Sequence, residues 1–302
     1  MLRLHLHGQA HIERLIRIMH IGNPSEKNAI IAAFLPLARH IAKSARSSPA
    51  TLVVGLCGPQ GSGKSTLATI LREQLQAEQL SIAVLSLDDL YLTKAQRVAL
   101  ARSVHPLLRT RGVPGTHDVE LGLRTLDALS ATGTVALPAF DKAIDDRLVR
   151  EAWPCVRAPV KVVIFEGWCV GAAPQDPDSL RAPINDLERE HDRDARWRRY
   201  VNDALANTYA PLFARIGMLI LLKPPSFDVV HRWRAEQEHA LRAQLIRECR
   251  DTSALMSDDD LRRFIAHYER LTRHILIEMP MRANLTVTLD EHREVVDIEG
   301  SD

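Results

Sequence analysis

The stretch Gly58-Pro59-Gln60-Gly61-Ser62-Gly63-Lys64-Ser65 constrains the fold more than any other, because it satisfies G-x-x-x-x-G-K-[ST] and runs on into Thr66. Such a loop needs a buried strand before it and a helix after it. Its glycines let the backbone turn and aim N–H groups at phosphate oxygens, and the helix N-terminus adds partial positive charge. Both neighbours are legible here. TLVVGLC ahead of the loop is almost uninterrupted apolar chain, and Leu67, Ile70, Leu71 and Leu75 behind it trace one helical face. In that setting Lys64 neutralises the outer phosphates of a nucleotide, and Ser65 offers a hydroxyl to Mg²⁺, an ion that keeps few direct protein ligands.

Four further runs, SIAVLSL, KVVIF, GMLILL and LTVTL, read as strands with helical patterns between most of them, the signature of a parallel sheet. The predicted fold class is therefore α/β: a P-loop NTPase architecture of three α/β/α layers, with a five-stranded parallel sheet and added helices. Residues 1–50 read as an N-terminal helical extension packed on the core, with Pro36 bending or breaking its second helix. Residues 51–295 form the predicted main domain, with an insertion at about 92–160 and a lid helix at about 226–250. The insertion holds five prolines and one helical segment around Leu121, Leu126 and Leu129. Long stretches of this kind in a compact domain are usually functional.

A nucleotide loop serves switches and motors as well as enzymes, so the chemistry has to be sought elsewhere. The second predicted strand ends in Ser86-Leu-Asp88-Asp89-Leu-Tyr91, which puts carboxylates at the sheet edge where the phosphate loop also lies. One of them can orient an attacking alcohol and take its proton late in a loose phosphoryl transfer. Without the loop upstream, the same pair would read equally well as a helix cap. The third predicted strand ends in Glu166-Gly167-Trp168, and a carboxylate there can hold Mg²⁺ or its waters. In the insertion, Arg111 to Asp118 and Pro138 to Arg147 are polar clusters set in Gly/Pro turns. Arg111 and Arg147 can grip an anionic acceptor bidentately, and Lys142 can act as a point charge. Arg232 and Arg234 stand near the start of a later helix, where either can stabilise charge on a transferring phosphate or simply join a salt-bridged outer face.

Composition narrows the partner. A formal net charge of +1 over 302 residues provides no broad positive field for nucleic acid. The four cysteines show no C-x-x-C pair, and no apolar run is long enough to span a membrane. A cytoplasmic enzyme acting on a small molecule, with no nucleic-acid or membrane partner, is the expectation.

Taken together, GPQGSGKST, LSLDDLYLT, RGVPGTHD, PAFDKAIDDR, VIFEGW, HRWRAEQE and MSDDDLRRFIAHYERL resemble the plant-type D-glycerate 3-kinases and their bacterial relatives, within the uridine kinase and pantothenate kinase superfamily of P-loop kinases. The resemblance implies ATP and Mg²⁺ as cofactors and transfer of the γ-phosphate to glycerate. It further implies Asp88 as catalytic base, with Asp89 and Tyr91 bordering the acceptor. His117, Asp118, Asp141 and Arg147 match acceptor-loop motifs, Glu166 matches the acid after the third strand, and Arg234 matches the lid helix. Two departures bear on pocket shape: Leu90 stands where relatives commonly carry Phe, and the segment from Lys142 to Arg147 is shorter than the plant version. Within the superfamily a nucleoside or pantothenate is the alternative acceptor, and a nucleotide-gated regulator is the alternative outside enzymes. Only 5% aromatic residues and an insertion rich in Arg, Lys and Asp favour a small charged acceptor.

Overall fold

The computed structural model describes residues 24–247 and 256–300. Residues 1–23 of the predicted N-terminal helical extension lie outside them. Helix α1 (Pro24–Ser47) leads into β1 (Leu52–Cys57), the phosphate loop, α2 (Lys64–Ala77) and β2 (Ile82–Ser86). The insertion contains α3 (Lys94–Ser103), α4 (Val119–Ser130) and four short strands: β3 (Gly133–Ala136), β4 (Phe140–Asp141), β5 (Asp146–Arg147) and β6 (Cys155–Ala158). Strand β7 (Val162–Gly167) is followed by α5 (Asp186–His191), α6 (Arg196–Ala206), α7 (Ala210–Phe213) and β8 (Met218–Lys223). Helices α8 (Asp228–Arg247) and α9 (Asp258–Glu278) precede β9 (Leu285–Leu289) and β10 (Val295–Gly300).

The main sheet has six strands in the order β10-β9-β8-β1-β7-β2. The five predicted strands are its five parallel members. The expected five-stranded, wholly parallel sheet needs correcting at one edge, where β10 pairs antiparallel with β9. The insertion is also more ordered than its prolines suggested, for it adds α3 and two antiparallel pairs, β3 with β6 and β4 with β5.

Apolar side chains pack against both faces of the sheet. One core joins Phe34, Leu37, Ile41 and Ala45 of α1 to Leu67, Leu71 and Leu75 of α2 and to Val54, Leu56, Ile164 and Ile220 of the strands. The other joins Leu126 and Leu129 of α4, Leu212 of α7 and Tyr268, Leu271 and Ile275 of α9 to Val163, Phe165 and Leu221. This is the three-layer arrangement. Helix α1 runs unbroken through Pro36. A proline inside a helix removes one N–H bond, and the apolar stripe buried on the sheet offsets that loss.

Register fixes where chemistry can occur. Ser86 lies opposite Glu166 across β2 and β7, and Cys57 lies opposite Gly167 across β1 and β7. The phosphate loop, the Asp88 turn and Glu166 thus leave the sheet at one carboxyl-terminal edge, where open α/β sheets bind their ligands.

Candidate active site

At that edge a cavity of about 380 Å³ is lined by Gln60, Gly61, Lys64, Ser65, Ser86, Asp88, Tyr91, Arg111, Lys142, Glu166, Gly167, Trp168, Arg234, Met256, Phe264 and Tyr268. On its nucleotide-loop side, Gly63 caps α2 in the left-handed region at φ 87°, so that Lys64 opens the helix. The Lys64 ammonium donates to the Pro59 carbonyl at 3.0 Å. The Ser65 hydroxyl donates to Glu166 Oε1 at 3.3 Å. Gly61, at φ +80°, passes so close under Trp233 that a Cβ there would stand 2.7 Å from the tryptophan Cβ.

These features fit a bound phosphate and its cation. Among the described residues the fully buried Ser62 hydroxyl has no hydrogen-bond partner, although it lies within the loop between two glycines. Such a group is costly to bury unless a ligand satisfies it. A hydroxyl paired with a carboxylate, both oxygen donors, is a ligand set suited to Mg²⁺.

Across the cavity, Asp88 sits on a short 3₁₀ turn, Leu87–Leu90, which is capped by the Ser86 side chain accepting from the Asp88 amide. Tyr91 donates its hydroxyl to Asp88 Oδ1 at 2.7 Å, and the Lys142 ammonium donates to Oδ2 at 2.6 Å. Burial would raise the Asp88 carboxyl, but Lys142, the Tyr91 hydroxyl and the more distant Lys64 outweigh it and bring the group down to about 2. Its neighbour Asp89 moves the other way, to about 6, because burial and the charges of Asp88 and Glu166 outweigh the Phe140 amide and Lys142.

Two sequence motifs far apart in the chain meet here by backbone pairing. The Leu92 amide donates to the Thr116 carbonyl, and the Asp118 amide donates to that of Leu90. The Tyr91 ring thereby stacks on His117, with centroids 4.7 Å apart. The buried His117 Nδ1 lies 2.6 Å from the Tyr209 hydroxyl, and burial holds the imidazole near 3, hence neutral. Asp89 accepts from the Phe140 amide at 3.1 Å and so ties the 3₁₀ turn to the β4–β5 hairpin.

Of the residues singled out from sequence, Gln60, Gly61, Lys64, Ser65, Asp88, Tyr91, Arg111, Lys142, Glu166 and Arg234 line one cavity. The others do not line it. Arg147 donates to Asp118 Oδ2 at 3.2 Å and to the Tyr91 carbonyl at 2.8 Å. Asp118 also caps α4 through the Leu121 amide, and Asp141 accepts from the Ala143 amide within its own turn. Arg111 reaches the cavity, but its guanidinium is paired with Asp145. Arg234 pairs with Glu238 at 2.8 Å, whereas Arg232 points to Glu291 on the outer surface.

Sequence reasoning passed over Trp168, Tyr268, Phe264 and Asp145. Trp168 donates its indole N–H to the Gly112 carbonyl at 2.8 Å, and Tyr268 donates its hydroxyl to the Arg111 carbonyl at 3.1 Å. Gly112, at φ +137°, has no room for a Cβ, which would fall 1.9 Å from the Tyr268 hydroxyl. Position at a predicted strand end was an available signal for Trp168. Phe264 and Tyr268 fall on the apolar stripe of α9 and read as ordinary core.

A phosphate loop and a carboxylate at the carboxyl edge of a parallel sheet ordered β2-β7-β1-β8-β9 define the P-loop kinase class. No family model matches the chain. Over 231 residues it is 36% identical to an uncharacterized kinase, mug58, of Schizosaccharomyces pombe, covering 72% of this chain and 78% of that one. Over 228 residues it is 33% identical to the chloroplastic D-glycerate 3-kinase of Arabidopsis thaliana, covering 72% of this chain and 46% of the plant protein. It therefore spans less than half of that protein's length. The solved D-glycerate 3-kinase of Cryptococcus neoformans matches it with a TM-score of 0.74 at 27% sequence identity, covering 90% of this chain and 99% of the fungal one. The chain belongs to the same kinase family as the Schizosaccharomyces pombe protein, and it is a kinase. Among the described residues, no helix is long and apolar enough to cross a membrane.

Proposed function

We propose that the protein transfers the γ-phosphate of ATP to the terminal hydroxyl of glycerate, giving 3-phosphoglycerate and ADP, in the cytoplasm. The observation that carries this reading is Asp88, which lines one cavity with Lys64, Ser65 and Arg111 and is paired with Lys142. Lys64 offsets charge on the outer phosphates, and the loop amides orient them. Ser65 and Glu166 would hold Mg²⁺, which neutralises charge on the phosphate oxygens. Asp88 aligns the acceptor hydroxyl. As the bond from that oxygen to phosphorus forms and the bond to the ADP oxygen breaks, the hydroxyl proton passes to an Asp88 oxygen. Arg234, which lines the same cavity, would meet charge on the phosphoryl group.

An acceptor bearing a carboxylate suits a wall that carries Lys142 and Arg111, and about 380 Å³ is at the small end of ligand cavities. Phe264 and Tyr268 favour a second reading, a planar nucleoside acceptor. The deciding experiment measures ADP release with ATP and Mg²⁺ against glycerate, uridine, pantothenate, ribulose 5-phosphate and no acceptor. The expected result is release with glycerate alone and 3-phosphoglycerate as product. Turnover with uridine and none with glycerate would transfer the assignment to the nucleoside.

A further inference from the structure

Both oxygens of the Asp88 carboxylate are occupied, and their partners differ in kind. Tyr91, on Oδ1, is 4% exposed and wedged between the His117 ring and the edge of Phe140. Its carbonyl is also held by Arg147. Lys142, on Oδ2, stands in the turn between β4 and β5 with its side chain 60% exposed. The backbone around that turn is pinned. Asp145 is paired with Arg97 and Arg111, Asp146 accepts from the Lys94 amide, and Phe140 donates to Asp89. The flexible four-carbon stem of Lys142, which lines the cavity, can swing while that backbone stays in place.

We propose that Lys142 is a substrate-operated latch: it occupies the Asp88 carboxylate while the acceptor is absent, and it moves to the acceptor's own carboxylate when that group enters the cavity, releasing Asp88 to the hydroxyl. The proposal rests on the reading of the acceptor as an anionic alcohol. An ion pair so exposed is weak, and exchanging one carboxylate partner for another costs little, which is what a latch needs. While latched, Asp88 has both oxygens occupied and cannot align a water molecule against the γ-phosphate, so ATP is conserved. When the acceptor arrives, the cation that restrained the base becomes the group that grips the substrate. The acceptor's charged end and its reacting end are thus recognised in one event.

The test is ADP release from ATP and Mg²⁺ in the absence of glycerate, compared between the wild type, Lys142→Met and Lys142→Arg, each with and without lactate. Lactate carries the carboxylate and lacks the terminal hydroxyl. Lys142→Met is expected to raise acceptor-free ADP release about fivefold, a modest share of what a positioned base contributes. Lys142→Arg, which can still pair with Asp88, is expected to raise acceptor-free release less than Lys142→Met does. Lactate accelerates the wild type by a similar factor and leaves Lys142→Met unchanged. Acceptor-free release in Lys142→Met at or below the wild-type rate overturns the latch, and so does a wild type indifferent to lactate. Matched circular dichroism and ATP binding establish that the variants are folded. The Met comparison needs no acceptor. A failed latch with glycerate still phosphorylated is thereby distinct from a failed acceptor assignment, in which the wild type does not phosphorylate glycerate at all.

Discussion

Asp88 and Asp89 are adjacent carboxylates driven in opposite directions, one to about 2 and the other to about 6. Each consequence has its own sign. The lowered Asp88 adds stability that is present above the ordinary carboxylate range and lost as pH falls toward its own value. The raised Asp89 keeps an extra proton in the folded state, so stability falls as pH rises from about 4 to 6 and the penalty is complete above that window. Asp89→Asn, whose amide oxygen can still accept from the Phe140 amide, is expected to raise the thermal midpoint at pH 7.5, with the gain vanishing near pH 4. Unfolding followed by circular dichroism across that range checks it, and a less stable variant at pH 7.5 would contradict the account. The carboxylates themselves were legible in the sequence, because LSLDDLY follows a clear strand. Their division of labour was not, since it depends on Lys142 and Phe140, which the hairpin brings in from the insertion. Arg147 shows the same limit: its residue type suggested a ligand grip, while its partners are Asp118 and the Tyr91 carbonyl.

At the scale of elements, the turn between β9 and β10 straps the phosphate loop to helix α8. Arg293, at φ 68°, donates to the Gly61 carbonyl at 2.7 Å and to Glu236 at 2.6 Å, with its guanidinium 5.1 Å from the Trp233 ring centroid. Trp233 donates to the Glu291 carbonyl at 2.8 Å. Gly61→Ala forces a Cβ into Trp233 at a backbone angle that side chains avoid, and it should weaken ATP binding about 5- to 150-fold, the effect of roughly 1–3 kcal/mol of local strain. Titration calorimetry would show it; unaltered affinity would mean that the loop tolerates displacement. Helix α9 has a different anchor, the bidentate pair of Arg270 with buried Glu188, both contacts at 2.7 Å. Removing one partner leaves the other charged and buried, so Arg270→Ala should cost about 3–5 kcal/mol in denaturant unfolding. A loss below 1 kcal/mol would show that water replaces the arginine. The strap was invisible in the sequence because β10 is an edge strand of VVDIEG, mostly exposed, and its turn carries no glycine. The five parallel strands were legible because each is an apolar run covered on both faces.

Over the whole molecule, a parallel sheet brings three strand ends to one edge, and the insertion closes over them from one side while α8 and α9 close from the other. The nucleotide half of the site was readable in advance, since it is local: eight consecutive residues, a strand and a helix. The half we assign to the acceptor was readable only as motifs, because the cavity walls there come from residues remote in sequence, such as Arg111, Lys142 and Tyr268, and no spacing rule brings them together. The central claim is that Asp88 faces the phosphate held by the loop and serves the incoming alcohol. The most direct test compares Asp88→Asn with the wild type, measuring ATP affinity and glycerate-dependent ADP release on the same preparations. The account predicts unchanged ATP affinity and turnover reduced about a hundredfold or more, the usual contribution of a positioned base. Near-normal turnover in Asp88→Asn would contradict it.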